Sequence, residues 1–274
     1  MHQNWAVVAV LTLALGVSTP AYAGWEQVDN GRDYVYRLDD GSIAKDCFID
    51  GYYVDMDGVW VPCLDLELEA NRCYTALKGA SDLRVKVTDG YTNNEVIRVA
   101  TYMRDLRMVG TKSILCSFSS TGEKYVQVSG VSYYQIEADD AFCDKYLTDV
   151  ANQFRHIESD RDKVIALNDW MIEQFEYDYS EKNSTIKALI DTKTGTCLPY
   201  SAMFKRICNK MGIQCDIIQG TAQSNIGIGR HAWNRVYIDG VAYYNDTCWN
   251  DTSRRSQDYL LISLEQISKD HWED

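Results

Sequence analysis

The sequence predicts an α+β protein. Three observations carry that prediction: two helical patterns between residues 139 and 176, a further helix opening at Cys197, and two strands joined by Asp239-Gly240. Helices show as apolar residues three and four apart, and strands as alternating residues on either side of a tight turn.

The chain has 274 residues, 46% of them hydrophobic, enough for one large domain or two small ones. With 27 Lys plus Arg against 40 Asp plus Glu, its net charge is -13. That charge argues against a nucleic-acid partner, because phosphate binding needs clustered Lys and Arg. Residues 1–23 read as a signal peptide. Trp5 to Val17 is an almost unbroken apolar run, followed by Pro20 and the small-x-small site Ala21-Tyr22-Ala23. The leading residues contain His2 but no Lys or Arg. The expectation is cleavage after Ala23 and a secreted or cell-surface protein, with no transmembrane anchor left after cleavage. A retained N-terminal anchor is the alternative, and both place the rest of the chain outside the cytoplasm. Nine cysteines are present. If one is a free nucleophile, the other eight have the numbers for up to four disulfides, and no CxxC pair suggests a metal or redox site.

Residues 24–62 are rich in Gly, Tyr and Asp. Tyr34-Val35-Tyr36-Arg37-Leu38-Asp39-Asp40-Gly41 is echoed by Tyr52-Tyr53-Val54-Asp55-Met56-Asp57-Gly58, with Gly24-Trp25 before the first and Val59-Trp60 after the second. Each unit runs an aromatic strand into an Asp-Gly turn, the sequence form of a short β-hairpin. This segment resembles the cell-wall-binding repeats of Gram-positive surface proteins. The resemblance implies a cell-wall polymer as a partner for residues 24–62, with packing on the next domain as the alternative.

Residues 63–158 read as an α+β lead-in. Leu83–Thr88 alternates as a half-buried strand, Asn93–Met108 suits a helix, and Lys112–Phe118 and Lys124–Ile136 read as strands. Asp139–Phe154 is helical, with Phe142, Tyr146, Val150 and Phe154 at four-residue steps. The acidic run Glu137, Asp139 and Asp140 reads as a solvated helix start.

Residues 159–274 read as the catalytic core. Ser159 can cap a helix whose first turn holds Asp160 and Asp162, and Val164, Leu167, Met171 and Phe175 share its buried face. Thr194-Gly195-Thr196-Cys197 then leads into a helix with Tyr200, Phe204, Ile207 or Cys208, and Met211 as its apolar stripe and Gly212 as its stop. Pro199 is tolerated only in a first turn, which fixes Cys197 near the helix N-terminus. There the helix dipole favours a thiolate, and free backbone N–H groups can receive an oxyanion. Gly195 is expected to leave room for a carbonyl substrate.

A general base must come from a histidine, of which there are four, at 2, 156, 231 and 271. His2 belongs to the signal segment, His156 sits among charges, and His271 is near the last residue. His231 opens the strand 231–238. Asp239-Gly240 is a strong two-residue turn signal, so Ile238 should pair with Val241 and Trp233 should face Asp246. His231 is then a diagonal neighbour of Asp246, with Cα atoms roughly 7–8 Å apart. The carboxylate can orient one imidazole nitrogen and leave the other for Cys197.

Gly195-Thr196-Cys197, His231-Ala232-Trp233-Asn234 and Tyr243-Tyr244-Asn245-Asp246-Thr247-Cys248-Trp249-Asn250-Asp251, in that order and spacing, resemble the transglutaminase-like superfamily. Leu198 and Pro199 depart from the small or polar residues usual after the cysteine. The resemblance implies a papain-like core, a Cys helix packed on an antiparallel sheet. It also implies Cys197 as nucleophile, His231 as general base and acid, and Asp246 as its orienting carboxylate. Tyr177, Tyr179, Trp233 and Trp249 are further candidates for the cleft or the second oxyanion donor. No cofactor and no metal are called for. The expected chemistry is attack on an amide carbonyl of a protein or peptide substrate, forming a thioester. Hydrolysis by a peptidase or amidase is the leading expectation; crosslinking to a lysine amine and a non-catalytic wall-binding role are the alternatives.

Overall fold

A computed structural model describes residues 23–28, 34–45, 47–49, 52–54, 58–60, 65–77, 80–106, 114–225, 227–252 and 256–273. Most of the expected signal peptide, and Cys63, lie outside these residues.

The aromatic N-terminal segment forms two small antiparallel hairpins: β1 (Gly24–Gln27) with β2 (Tyr34–Arg37), and β3 (Cys47–Ile49) with β4 (Tyr52–Val54). Single bridges from Val35 to Val59 and from Val54 to Trp60 tie them to the segment that follows. Their rings pack on one another edge to face, Trp25 on Tyr36 and Tyr34 on Trp60. The lead-in contains α1 (Asp65–Ala76), β5 (Arg84–Lys86), α2 (Asn93–Leu106), β6 (Ile114–Phe118), β7 (Lys124–Val128) and α3 (Tyr133–Gln153). Its sheet has the order β5-β7-β6 and is antiparallel.

Two expectations are corrected here. The strand expected over Lys124–Ile136 ends at Val128. Gly130 takes a positive φ, and Ser132 caps α3 by accepting the Gln135 N–H, so Tyr133, Tyr134 and Ile136 belong to a helix despite their strand-like composition. The acidic run is also not at a helix start, although Glu137 within it is exposed. It lies inside α3, where Asp140 is buried and accepts from the Tyr74 hydroxyl and from Arg206.

The remainder holds α4 (Asp160–Gln174), β8 (Glu176–Tyr177), α5 (Ile186–Thr192), β9 (Thr194–Gly195), α6 (Cys197–Lys210), β10 (Cys215–Ser224), β11 (Gly227–Ile238), β12 (Val241–Asn245), α7 (Thr247–Thr252), α8 (Leu264–Ile267) and β13 (His271–Glu273). Ser159 caps α4 as expected, accepting the Asp162 N–H. Four strands form an antiparallel sheet in the order β12-β11-β10-β13, with α6 lying on β10 and β11. One hydrophobic cluster runs from Ala70 through Val99, Leu147 and Leu167 to Phe204, Val236 and Leu261, so lead-in and sheet share a core.

Helix α6 is also held by charge. Lys205 is buried and pairs with Glu67 of α1 at 3.1 Å, while Arg206 reaches Asp140 and Asp144 of α3 and Lys210 reaches Asp144. Among the described residues no helix is long and apolar enough to cross a membrane. Cysteines 73, 116, 143, 197, 208, 215 and 248 are all free thiols. None of these seven is in a disulfide, so the full set of four bridges that the cysteine count would allow is not formed.

Candidate active site

Cys197 is the first residue of α6. Thr196 occupies the cap position, but its side chain makes no capping hydrogen bond. Pro199 has no N–H, so the first-turn amides of Cys197 and Leu198 are the donors the helix start can offer. Gly195 does not leave room for a substrate, as the sequence had suggested. A Cβ there would lie 2.9 Å from Leu189 Cδ1 and 3.1 Å from Pro199 Cγ, so this glycine serves close packing behind the cysteine.

Two polar side chains clamp α6 to β11. Ser201 Oγ lies 2.9 Å from both the Cys197 and the Ala232 carbonyl oxygens. Asn234 Nδ2 donates to the Ser201 and Asp216 carbonyls. The first turn of α6 is thereby fixed beside the start of the strand that carries His231.

The hairpin has the register that a two-residue turn demands. Asp239 and Gly240 both take positive φ, 52° and 76°, and Ile238 pairs with Val241, continuing to Asn234 with Asn245. His231 and Asp246 meet: Nε2 lies 2.7 Å from Asp246 Oδ2, in a pocket where their side chains are 9% and 1% exposed. With Nε2 committed to Asp246, the ring's other nitrogen, Nδ1, is the one left for Cys197, whose sulfur favours the charged form of the imidazole. Burial works against charge on His231. The Asp246 carboxylate, its hydrogen bond and Cys197 outweigh that cost and raise the imidazole to about 10. Burial likewise opposes charge on Asp246, and His231 with His271 overcomes it, lowering the carboxyl to about 2. The second carboxylate oxygen, Oδ1, accepts the Trp249 N–H at 3.0 Å and so starts α7.

His271, set aside on sequence grounds, is part of the same cluster. It is fully buried, and its Nε2 lies 3.1 Å from Asp246 Oδ2. It arrives there because β13 pairs with β10, with His271 opposite Ala222 and Glu273 opposite Gly220. Gly220 is required for this approach, since a Cβ would sit 2.0 Å from the Trp272 carbonyl oxygen. No local pattern around residue 271 signals the contact. The donor atoms of His231, Asp246 and His271 lie within 4.8 Å of one another, a set able in kind to hold a metal ion. In this structure Asp246 Oδ2 is shared between the two imidazoles.

The other sequence candidates fall in different places. Tyr177 is half-buried on β8 opposite Gly195, and its hydroxyl is pushed up to about 12 by burial and then by the Cys248 and Cys197 sulfurs. It therefore keeps its hydrogen near Cys197. Tyr179 is exposed and meets the site only through its edge contact with Tyr177. Trp233 stacks at 6.1 Å on His231 but is buried, so it supports the ring from behind. Trp249 is partly exposed and covers both histidines, 5.3 Å from His231 and 4.4 Å from His271.

Residues 148–247 match the family model described as the Transglutaminase-like superfamily. Over 114 residues the chain is 28% identical to the kyphoscoliosis peptidase of Mus musculus and 27% identical to that of Homo sapiens. Each alignment takes in 36% of this chain and 17% of the relative, so the chain spans less than a fifth of those curated proteins. Among solved structures it is similar to a candidate cysteine protease from Cytophaga hutchinsonii, at 17% identity and a TM-score of 0.37, covering 56% of this chain and 64% of that one. It is also similar to the periplasmic domain of TgpA from Pseudomonas aeruginosa bound to ethylmercury, at 15% identity and a TM-score of 0.35, covering 48% and 57%.

Proposed function

We propose that this chain is a cysteine-dependent enzyme of the transglutaminase-like superfamily, whose model its residues 148–247 match, and that it cleaves amide bonds of proteins or peptides. The observation that carries the reading is the 2.7 Å contact between His231 Nε2 and Asp246 Oδ2, with Cys197 at a helix start acting on the same imidazole. With the thiol hydrogen held on His231 Nδ1 as an imidazolium, the Cys197 thiolate attacks the carbonyl carbon. The oxyanion meets the first-turn amides of α6, with the Tyr177 hydroxyl as a second donor. Collapse breaks the C–N bond, and the leaving amine takes the hydrogen from His231. Water, losing a hydrogen to His231, then attacks the thioester, releasing the acid and restoring the thiol. The similarity to proteins named peptidases supports water, rather than a lysine amine, as the acceptor.

The test combines labelling with product analysis. Cys197 should react with iodoacetamide at about pH 6 faster than any other thiol, and His231→Ala should slow that reaction. The same substitution should lower turnover by about 10²–10⁴-fold. Equal labelling across the cysteines would overturn the reading. Incubated with a glutamine-containing protein and a labelled amine, the enzyme should yield new peptide termini; Cys197-dependent amine incorporation would assign crosslinking instead. The same proposal puts the enzyme outside the cytoplasm, and Gly24 is the expected first residue of the mature chain by N-terminal sequencing.

A further inference from the structure

Asp246 holds more partners than one imidazole requires. Its Oδ2 faces two rings, His231 Nε2 at 2.7 Å and His271 Nε2 at 3.1 Å. An ionised carboxylate only accepts, so both Nε2 atoms carry hydrogen. The other nitrogen of His271, Nδ1, lies 2.6 Å from Asp270 Oδ1, a second acceptor. Asp270 Oδ2 in turn accepts the Tyr259 hydroxyl at 2.7 Å. Burial, and then Asp270, push that phenol up, so it remains a donor. His271 thus donates from both nitrogens, the hydrogen-bond pattern of an imidazolium, and it does so fully buried between two carboxylates.

The charged and titratable groups around it are Asp246, Asp270, Tyr259 and His231, whose ring centroid is 5.5 Å away. Trp233 and Trp249 fill the remaining sides at 4.9 and 4.4 Å. A neutral side chain of similar size would fill this space equally well. A cation does two further things. It fixes the Asp246 oxygen that His231 uses, and it offsets part of the negative charge that holds the proton on His231.

We infer that His271 is a positioning residue of this site, an imidazolium between Asp246 and Asp270 that aims Asp246 at His231 and moderates its pull on the His231 proton. The inference rests on the reading of Cys197, His231 and Asp246 as the reacting groups.

Histidine-selective ¹⁵N NMR and Cys197 alkylation test it together. In the wild-type protein both His271 nitrogens should be protonated at about pH 6. His271→Gln keeps a donor toward Asp246 but carries no charge. Its alkylation rate should stay within about threefold of wild type, while the pH at which His231 releases its proton should rise by on the order of one unit. His271→Leu, which loses donor and charge, should slow alkylation about tenfold. If His271→Leu does not fold, the His271→Gln titration decides alone. A singly protonated His271 at pH 6, or a His231 titration that His271→Gln leaves in place or lowers, would overturn the inference. Failure of the underlying reading shows separately, as Cys197 alkylation that His231→Ala does not change.

Discussion

Cys197 differs from the other described thiols in its surroundings. Cys73 and Cys143 are pushed up to about 12 by burial, and Cys116, Cys208 and Cys248 are raised by the same cause. Those sulfurs behave as small apolar side chains of the core. Among the described thiols only Cys197 combines the first position of a helix with an influence on the His231 imidazole. The His231–Asp246 pair also has a pH signature. His231 is raised from 6.5 to about 10, so its contribution to stability is full below 6.5 and is lost as pH rises through about 10. Asp246 is lowered from 3.8 to about 2, so its contribution is full above 3.8 and is lost as pH falls through about 2. The Tm difference between wild type and Asp246→Asn should therefore be widest between 3.8 and 6.5 and should narrow toward pH 10. A difference that stays constant from pH 6.5 to 10 would contradict the pairing.

At the scale of elements, helix α6 is the part that must not move, and two kinds of bond hold it. Ser201 and Asn234 fasten its first turn to β11. Lys205, Arg206 and Lys210 anchor its later turns to α1 and α3. Glu67→Ala strands the Lys205 ammonium in the core and should cost about 3–5 kcal/mol in urea unfolding. A loss below about 1 kcal/mol would mean that the ammonium's remaining partners, the Cys215 carbonyl at 2.6 Å among them, suffice. These elements also divide what a sequence can reveal. The β11–β12 register was legible because Asp239-Gly240 is a local device with few allowed geometries. Helix α4 was legible from its Ser159 cap and its spaced apolar face. Asp140 was not, because the group that makes its burial tolerable, Arg206, lies 66 residues away. His271 was missed for a similar reason: its place depends on β13 finding β10, and on Gly220 lacking a side chain.

At the scale of the molecule, the lead-in and the sheet are not two structures joined by a linker. Their shared cluster runs from Ala70 to Leu261, and buried ion pairs cross the same boundary. A chain with one continuous core unfolds cooperatively. Calorimetry of the whole protein should show one transition for residues 65–273, and two well-separated transitions would contradict this. The sheet, the helix that opens at Cys197 and the His231–Asp246 contact were legible together because three separated motifs agreed in order and spacing. The lead-in's part in holding α6 was hidden, because it works through pairs distant in sequence.

The position of β13 has a consequence for how the protein is made. A ribosome releases Cys197 first, then His231 and Asp246, and only afterwards the strand that brings His271 to the edge of the sheet. Until that strand docks, Asp246 lacks one of its two imidazole partners. Cys197, His231 and Asp246 are therefore synthesised before the strand that completes the hydrogen-bonded cluster around Asp246.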